Sequence, residues 1–172
     1  MKNKIKYIAL FLLVISAAAF FIFKKIDQSI LSEYSLSKEQ EEIVDTLGYP
    51  EQFFITYLPQ GEGDLVRTEV WYYPSYQVKT TFLNGKTFAV EDFVIEYEVI
   101  PTTLKPEDYY FAQTYDEVED VLGMPIEPLD FLPEFYEPGE IETYASKEAI
   151  FVFEKTYLTY FQTIGLLEEG TE

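Results

Sequence analysis

The spacing of apolar and polar positions changes along the chain, and each change marks an element. Residues 7–23 form an apolar run whose only polar member is Ser16. From Ser37 the pattern becomes amphipathic. Ile43, Val44 and Leu47 make one apolar stripe among glutamates, which is helical spacing. Ser37 followed by Gln40 has the spacing of a capping box, and Gly48 with Pro50 just beyond it supplies a stop. After Pro50 the texture is that of strands. Residues 53–58, 66–73, 78–82 and 86–99 predict four of them, separated by turns at 60–64, at Pro74–Ser75 and at Asn84–Gly85. Asn-Gly is the sharpest of these signals, because a type I′ hairpin needs positive φ at both positions. In the fourth strand the apolar parity slips from Phe88 and Val90 to Phe93, Ile95 and Tyr97, which predicts a bulge near Glu91 and Asp92.

The pattern then comes back. Leu47, Gly48, Tyr49, Pro50 returns as Leu122, Gly123, Met124, Pro125, with Glu42, Ile43 and Asp45 answered by Glu117, Val118 and Asp120. Residues 106–112 read as a first short helix with Pro106 in its opening turn. Asp116 with Glu119 repeats the capping-box spacing for a helix carrying Val118, Val121 and Leu122. Residues 126–138, rich in proline and acids, read as a loop, and strands resume at 140–146, 149–155 and 157–164.

The predicted fold class is α+β: an N-terminal transmembrane helix followed by two tandem repeats. Each repeat is a short helical layer packed on an antiparallel three- to four-stranded meander. The boundaries fall at 1–34 (cytoplasmic N-terminus, anchor and neck), 35–99 (first repeat), 100–105 (linker), 106–167 (second repeat) and 168–172 (acidic tail).

As a helix, the run 7–23 would extend about 26 Å, close to the hydrocarbon thickness of a bilayer. Lys2, Lys4 and Lys6 precede it and Lys24 and Lys25 follow, so the positive-inside rule puts the N-terminus in the cytoplasm. The expected location is therefore the cell membrane, single-pass, with the C-terminal domain extracytoplasmic. The alternative is a cleaved signal peptide, for which residues 17–19 offer small side chains; residues 20–23 continue the apolar run past that point.

Charge and composition narrow the chemistry. Every one of the 31 acidic residues follows Lys25, against seven of the 12 basic ones, and the single arginine is Arg67. Nucleic acid is a poor partner for such a surface. Cysteine and histidine are both absent, which removes disulfides, thiolate nucleophiles, Cys/His zinc sites and Ser-His-Asp triads. The acidic stretch 127–140 lacks the spacing of a calcium loop. No cofactor, metal site or small-molecule substrate is expected.

With these residues in view, the chain resembles the small lipoproteins of the outer-membrane β-barrel assembly machinery, the BamE or SmpA/OmlA type. Through its doubling it also resembles the secreted β-lactamase-inhibitor proteins. Thr114, Glu117, Val118, Val121, Leu122, Gly123 and Pro125 match the helix half of that motif, and Trp71, Tyr73, Phe82 and Gly85 match its strand half. The chain departs from it at Glu39, where the family opens its helix with threonine, and in lacking the lipid-bearing and disulfide cysteines. What the resemblance implies is fold more than function.

The function expected is a membrane-anchored, extracytoplasmic, non-catalytic protein-interaction domain with an envelope protein as partner and the membrane engaged through residues 7–23. Fifteen tyrosines and one tryptophan are many for 172 residues. Trp71, Tyr72, Tyr73 and Tyr76 gather around one hairpin as the candidate contact residues, and strand alternation sends Trp71 and Tyr73 to one face and Tyr72 to the other. The alternatives are a carboxylate-dependent envelope glycan hydrolase and a secreted inhibitor-like protein.

Overall fold

The computed structural model describes residues 34–60, 64–95, 99–130 and 141–166. Helix α1 (Lys38–Leu47) starts where its cap requires. Ser37 is extended, its hydroxyl accepts the Gln40 N–H at 3.2 Å, and the Gln40 side chain accepts the Ser37 N–H at 3.0 Å. Helix α2 (Tyr115–Leu122) carries the same device on Thr114 and Glu117, not on Asp116 and Glu119 as the spacing suggested. The reason is backbone geometry: Thr114 is extended at φ −82°, ψ 166°, whereas Asp116 already lies inside the helix. Both helices end on glycines with positive φ, 84° at Gly48 and 65° at Gly123. Only Gly123 is left-handed helical; Gly48, with ψ −176°, occupies a region open essentially to glycine alone.

Eight strands follow the chain: β1 (Gln52–Gln60), β2 (Asp64–Tyr73), β3 (Val78–Leu83), β4 (Lys86–Asp92), β5 (Glu127–Pro128), β6 (Ile141–Ala145), β7 (Ala149–Glu154) and β8 (Tyr157–Thr163). They form one antiparallel sheet in the order β4-β3-β2-β1-β8-β7-β6-β5. This overturns two separate helix-on-meander repeats behind a transmembrane helix. Each meander alone would leave an open inner edge, and β1 and β8 close both by pairing Phe54 with Gln162, Ile55 with Phe161 and Thr56 with Tyr160. The Thr163 hydroxyl extends the seam, donating to the Phe53 carbonyl at 3.1 Å and accepting the Phe53 N–H at 3.0 Å. All elements belong to one compact unit, Glu33–Glu172.

The core crosses that seam. Phe53, Ile55, Trp71, Tyr73, Phe82, Phe151, Phe153 and Phe161 on the sheet meet Val118 of α2, Tyr109 and the half-buried Ile43, Val44 and Leu47 of α1. Tyr109 stacks on Phe161 with ring centroids 4.1 Å apart, and Phe161 stacks on Phe53 at 4.9 Å.

Several local expectations change. Residues 106–112 make only a short 3₁₀ turn, Pro106–Asp108, and Ala112 at φ 65° excludes a longer helix. The bulge lies at Phe88, where the pairing moves from Thr81–Ala89 to Phe82–Thr87, and β4 ends at Asp92. Strand β5 falls inside the stretch expected to be loop.

The expected membrane location is also corrected. Among the described residues no helix is long and apolar enough to cross a membrane, and the run 7–23 lies outside the described residues.

Candidate interaction surface

Strand β2 sets the fate of the hairpin aromatics. Trp71 and Tyr73 point to the helix-covered face and are fully buried, so they are core and not contact residues. Tyr72 points to the other face, half-buried, with its ring 4.8 Å from Phe93 and 6.4 Å from Phe54. Tyr76, in the 3₁₀ turn Pro74–Tyr76, is 56% exposed and meets Tyr73 edge-on. The face away from the helices is not open along its length, because Val70, Ile150, Val152 and Tyr160 on it are all buried.

The buried polar groups of β2 form a closed network. Arg67 Nε donates to Glu69 Oε1 at 2.8 Å, and its two terminal nitrogens reach the Pro106 and Tyr109 carbonyls and the Tyr57 hydroxyl. Glu69 also accepts from Tyr34 at 2.7 Å, from the Gln40 amide at 2.9 Å and from Trp71 Nε1 at 3.1 Å. The Tyr34 ring lies 3.6 Å from the guanidinium carbon. Three donors meet Glu69 Oε1 and one meets Oε2, which commits this carboxylate to the buried network. The signal was available in sequence: the only arginine of an acidic chain sits at a core parity of β2, two residues from a glutamate.

Between α1 and the 3₁₀ turn lies an open cleft of about 630 Å³ lined by Tyr34, Leu36, Val44 and Tyr49 and by the carboxylates Glu41, Asp45, Glu107 and Asp108. Tyr49 donates to Glu107 Oε1, which pushes its phenol up to about 12. Desolvation, with the Glu107 charge beside it, raises the Asp108 carboxyl above its ordinary range. Among the described residues no group of three or more His, Cys, Asp or Glu is placed to hold a metal ion.

The other feature is the end of the sheet at β4. Phe88, Val90 and Val94 are 71%, 62% and 70% exposed. Phe93 N–H donates to the Gln77 carbonyl at 2.8 Å, which brings Val94 beside the turn that carries Tyr76. Tyr76, Val90 and Val94 therefore mark one exposed corner of the sheet, Val90 on the face of Thr80 and Trp71, with Tyr72 and Phe93 packed together on the opposite face. Sequence reasoning found Tyr76 and missed the valines. The parity slip after Val90 was their signal, since a strand that loses its alternation also loses its buried face.

No protein-family model, no curated protein and no solved structure matches the chain, so the comparisons neither support nor oppose the resemblance drawn from its motif.

Proposed function

We propose that this chain is a non-catalytic protein-interaction domain that meets its partner through the corner formed by Tyr76, Val90 and Val94. The observation carrying the reading is that three large apolar side chains, each more than half exposed, lie along β4 and the turn beside it, β4 being the longer of the sheet's two outermost strands among the described residues. A rigid aromatic such as Tyr76 is the kind of anchor that carries much of the binding energy at protein interfaces, and the valines supply the apolar contact around it. The test places a photocrosslinking side chain at 76, 90 or 94, with Tyr157, exposed in the second half of the chain, as control. The expected result is one partner captured from the corner and not from 157. Tyr76→Ala should weaken that complex by roughly 30-fold, which is about 2 kcal/mol, with an unchanged melting temperature. Equal capture at 157, or binding lost only in variants that unfold, overturns the reading.

A second reading, a carboxylate-dependent glycan hydrolase, rests on the raised Asp108 beside Glu107 in the acidic cleft. Polysaccharide turnover that Asp108→Asn abolishes would establish it in place of the first.

A further inference from the structure

We infer that the partner is received as an added strand on β4, and that the segment it contributes is extended and basic. This rests on the reading above that the corner is a protein-contact surface, and it names how and by what that surface is filled. In antiparallel pairing, residues opposite each other alternate between pairs that exchange hydrogen bonds and pairs that do not. Asn84 N–H donates to the Arg67 carbonyl at 2.8 Å, so the β2–β3 pairs Trp71–Thr80 and Tyr73–Val78 are the bonded kind. Val78 and Thr80 thus spend their backbone groups on β2. Their β4 partners, Asp92 and Val90, must direct N–H and C=O away from β3. The Phe93 N–H to Gln77 carbonyl bond gives the same phase from the other side. No described strand lies beyond β4 to receive those groups.

The edge is guarded along only half its length. At its start, Thr87 also faces outward, but the Glu39 carboxylate of α1 accepts its N–H at 2.7 Å. The Phe88 bulge then breaks the register, so a strand cannot pair from the hairpin turn onward. Beyond the bulge, Val90 to Asp92 has neither device. The sheet's opposite edge, β5, is two residues long and contains Pro128, which leaves little to template on. One short, open, apolar-flanked edge is the geometry of strand addition, in which main-chain bonds supply affinity and flanking side chains supply selectivity.

Charge selects the occupant. The chain carries a net −19; near this edge Lys79 is paired with Glu91 at 3.3 Å and Lys86 lies at the guarded start of the strand, whereas Asp92 at the open end is exposed without an ion pair among the described residues. A basic segment is attracted to this edge, and an acidic one is repelled. The same charge opposes a second copy of this chain, since pairing two β4 edges brings two strongly anionic bodies together.

The test uses the full chain and two blocked seven-residue probes of alternating valine and threonine, one ended by lysines and the other by glutamates. The basic probe should bind, slow hydrogen exchange at the Val90 and Asp92 amides, and weaken as salt is raised; the acidic probe should bind at least tenfold more weakly. Val90→Pro removes an N–H that the fold does not use, so it should lose the basic probe by tenfold or more, while Val90→Thr stays within about threefold. If the proline variant unfolds, amide protection in the unaltered chain decides. Binding without β4 amide protection overturns strand addition; equal binding of both probes, or concentration-dependent self-association through β4, overturns the basic occupant. A partner still crosslinked at Tyr76 but indifferent to Val90→Pro would sink this inference alone. No partner at the corner at all would sink the reading beneath it.

Discussion

Arg67 shows what a single buried charge demands. It is the one arginine of an acidic chain, it is 4% exposed, and its donors are divided between a carboxylate, a phenol and two main-chain carbonyls. Such a pair is expensive to break, because removing one partner leaves the other desolvated and uncompensated. We expect Arg67→Ala to destabilise the fold by about 3–5 kcal/mol in urea unfolding. Arg67→Lys should recover only part of this, since an ammonium cannot reproduce the planar fork. Tyr34→Phe removes one of four donors to Glu69 and should cost about 1–2 kcal/mol. If Arg67→Ala unfolds at the same urea concentration as the unaltered chain, the network contributes nothing to stability.

At the scale of elements, two turn glycines look alike in sequence and differ in surroundings. Gly85 and Gly123 both have positive φ, 76° and 65°. A Cβ on Gly123 would meet nothing within 4 Å, whereas one on Gly85 would lie 2.9 Å from Ser37 Cβ. The Ser37 hydroxyl also donates to the Gly85 carbonyl, so the β3–β4 hairpin rests directly on the cap of α1. Gly123→Ala should therefore cost about 1–2 kcal/mol, the strain of the left-handed backbone alone. Gly85→Ala should cost more by about 1–3 kcal/mol of overpacking, and should loosen the start of α1 as well as the hairpin. Comparing the two unfolding midpoints, with amide exchange at Gln40 and Thr87, checks this. Equal losses would show that the hairpin and the cap are not coupled.

At the scale of the molecule, the seam between β1 and β8 makes one cooperative body of the eight described strands. Trp71 fluorescence reports the first half and far-ultraviolet circular dichroism reports both, so the two signals should give coincident urea transitions. Alkali supplies a second check. Tyr34, Tyr57, Tyr73 and Tyr109 all have phenols raised chiefly by burial. A phenol that holds its proton more tightly folded than unfolded contributes stability that is full below the ordinary value of about 10 and is lost as pH rises through the raised one. Stability should therefore show no loss from these phenols near neutrality and fall steadily above about pH 10, with their ionisation, read at 295 nm, coinciding with unfolding. Ionisation of all fifteen tyrosines ahead of unfolding would contradict the burial.

The sequence by itself determined what depends on neighbours along the chain. Ser37 with Gln40, Gly48, Gly123 and Asn84–Gly85 act within one turn of backbone, and their caps and positive φ angles follow from local sterics and hydrogen bonding. Alternation in β2 likewise separated Trp71 and Tyr73 from Tyr72 before any contact was known. Tertiary structure alone decided whatever depends on the partner strand. Thr114 and Asp116 offer equivalent capping spacing, and only the path of the chain into α2 chooses between them. No local pattern in residues 52–60 or 157–163 states that these two stretches pair, because that bond is chosen by the shared aromatic core around Phe53, Phe161 and Tyr109. The open edge is decided the same way: β4 is exposed because β1 and β8 close against each other and leave it outermost.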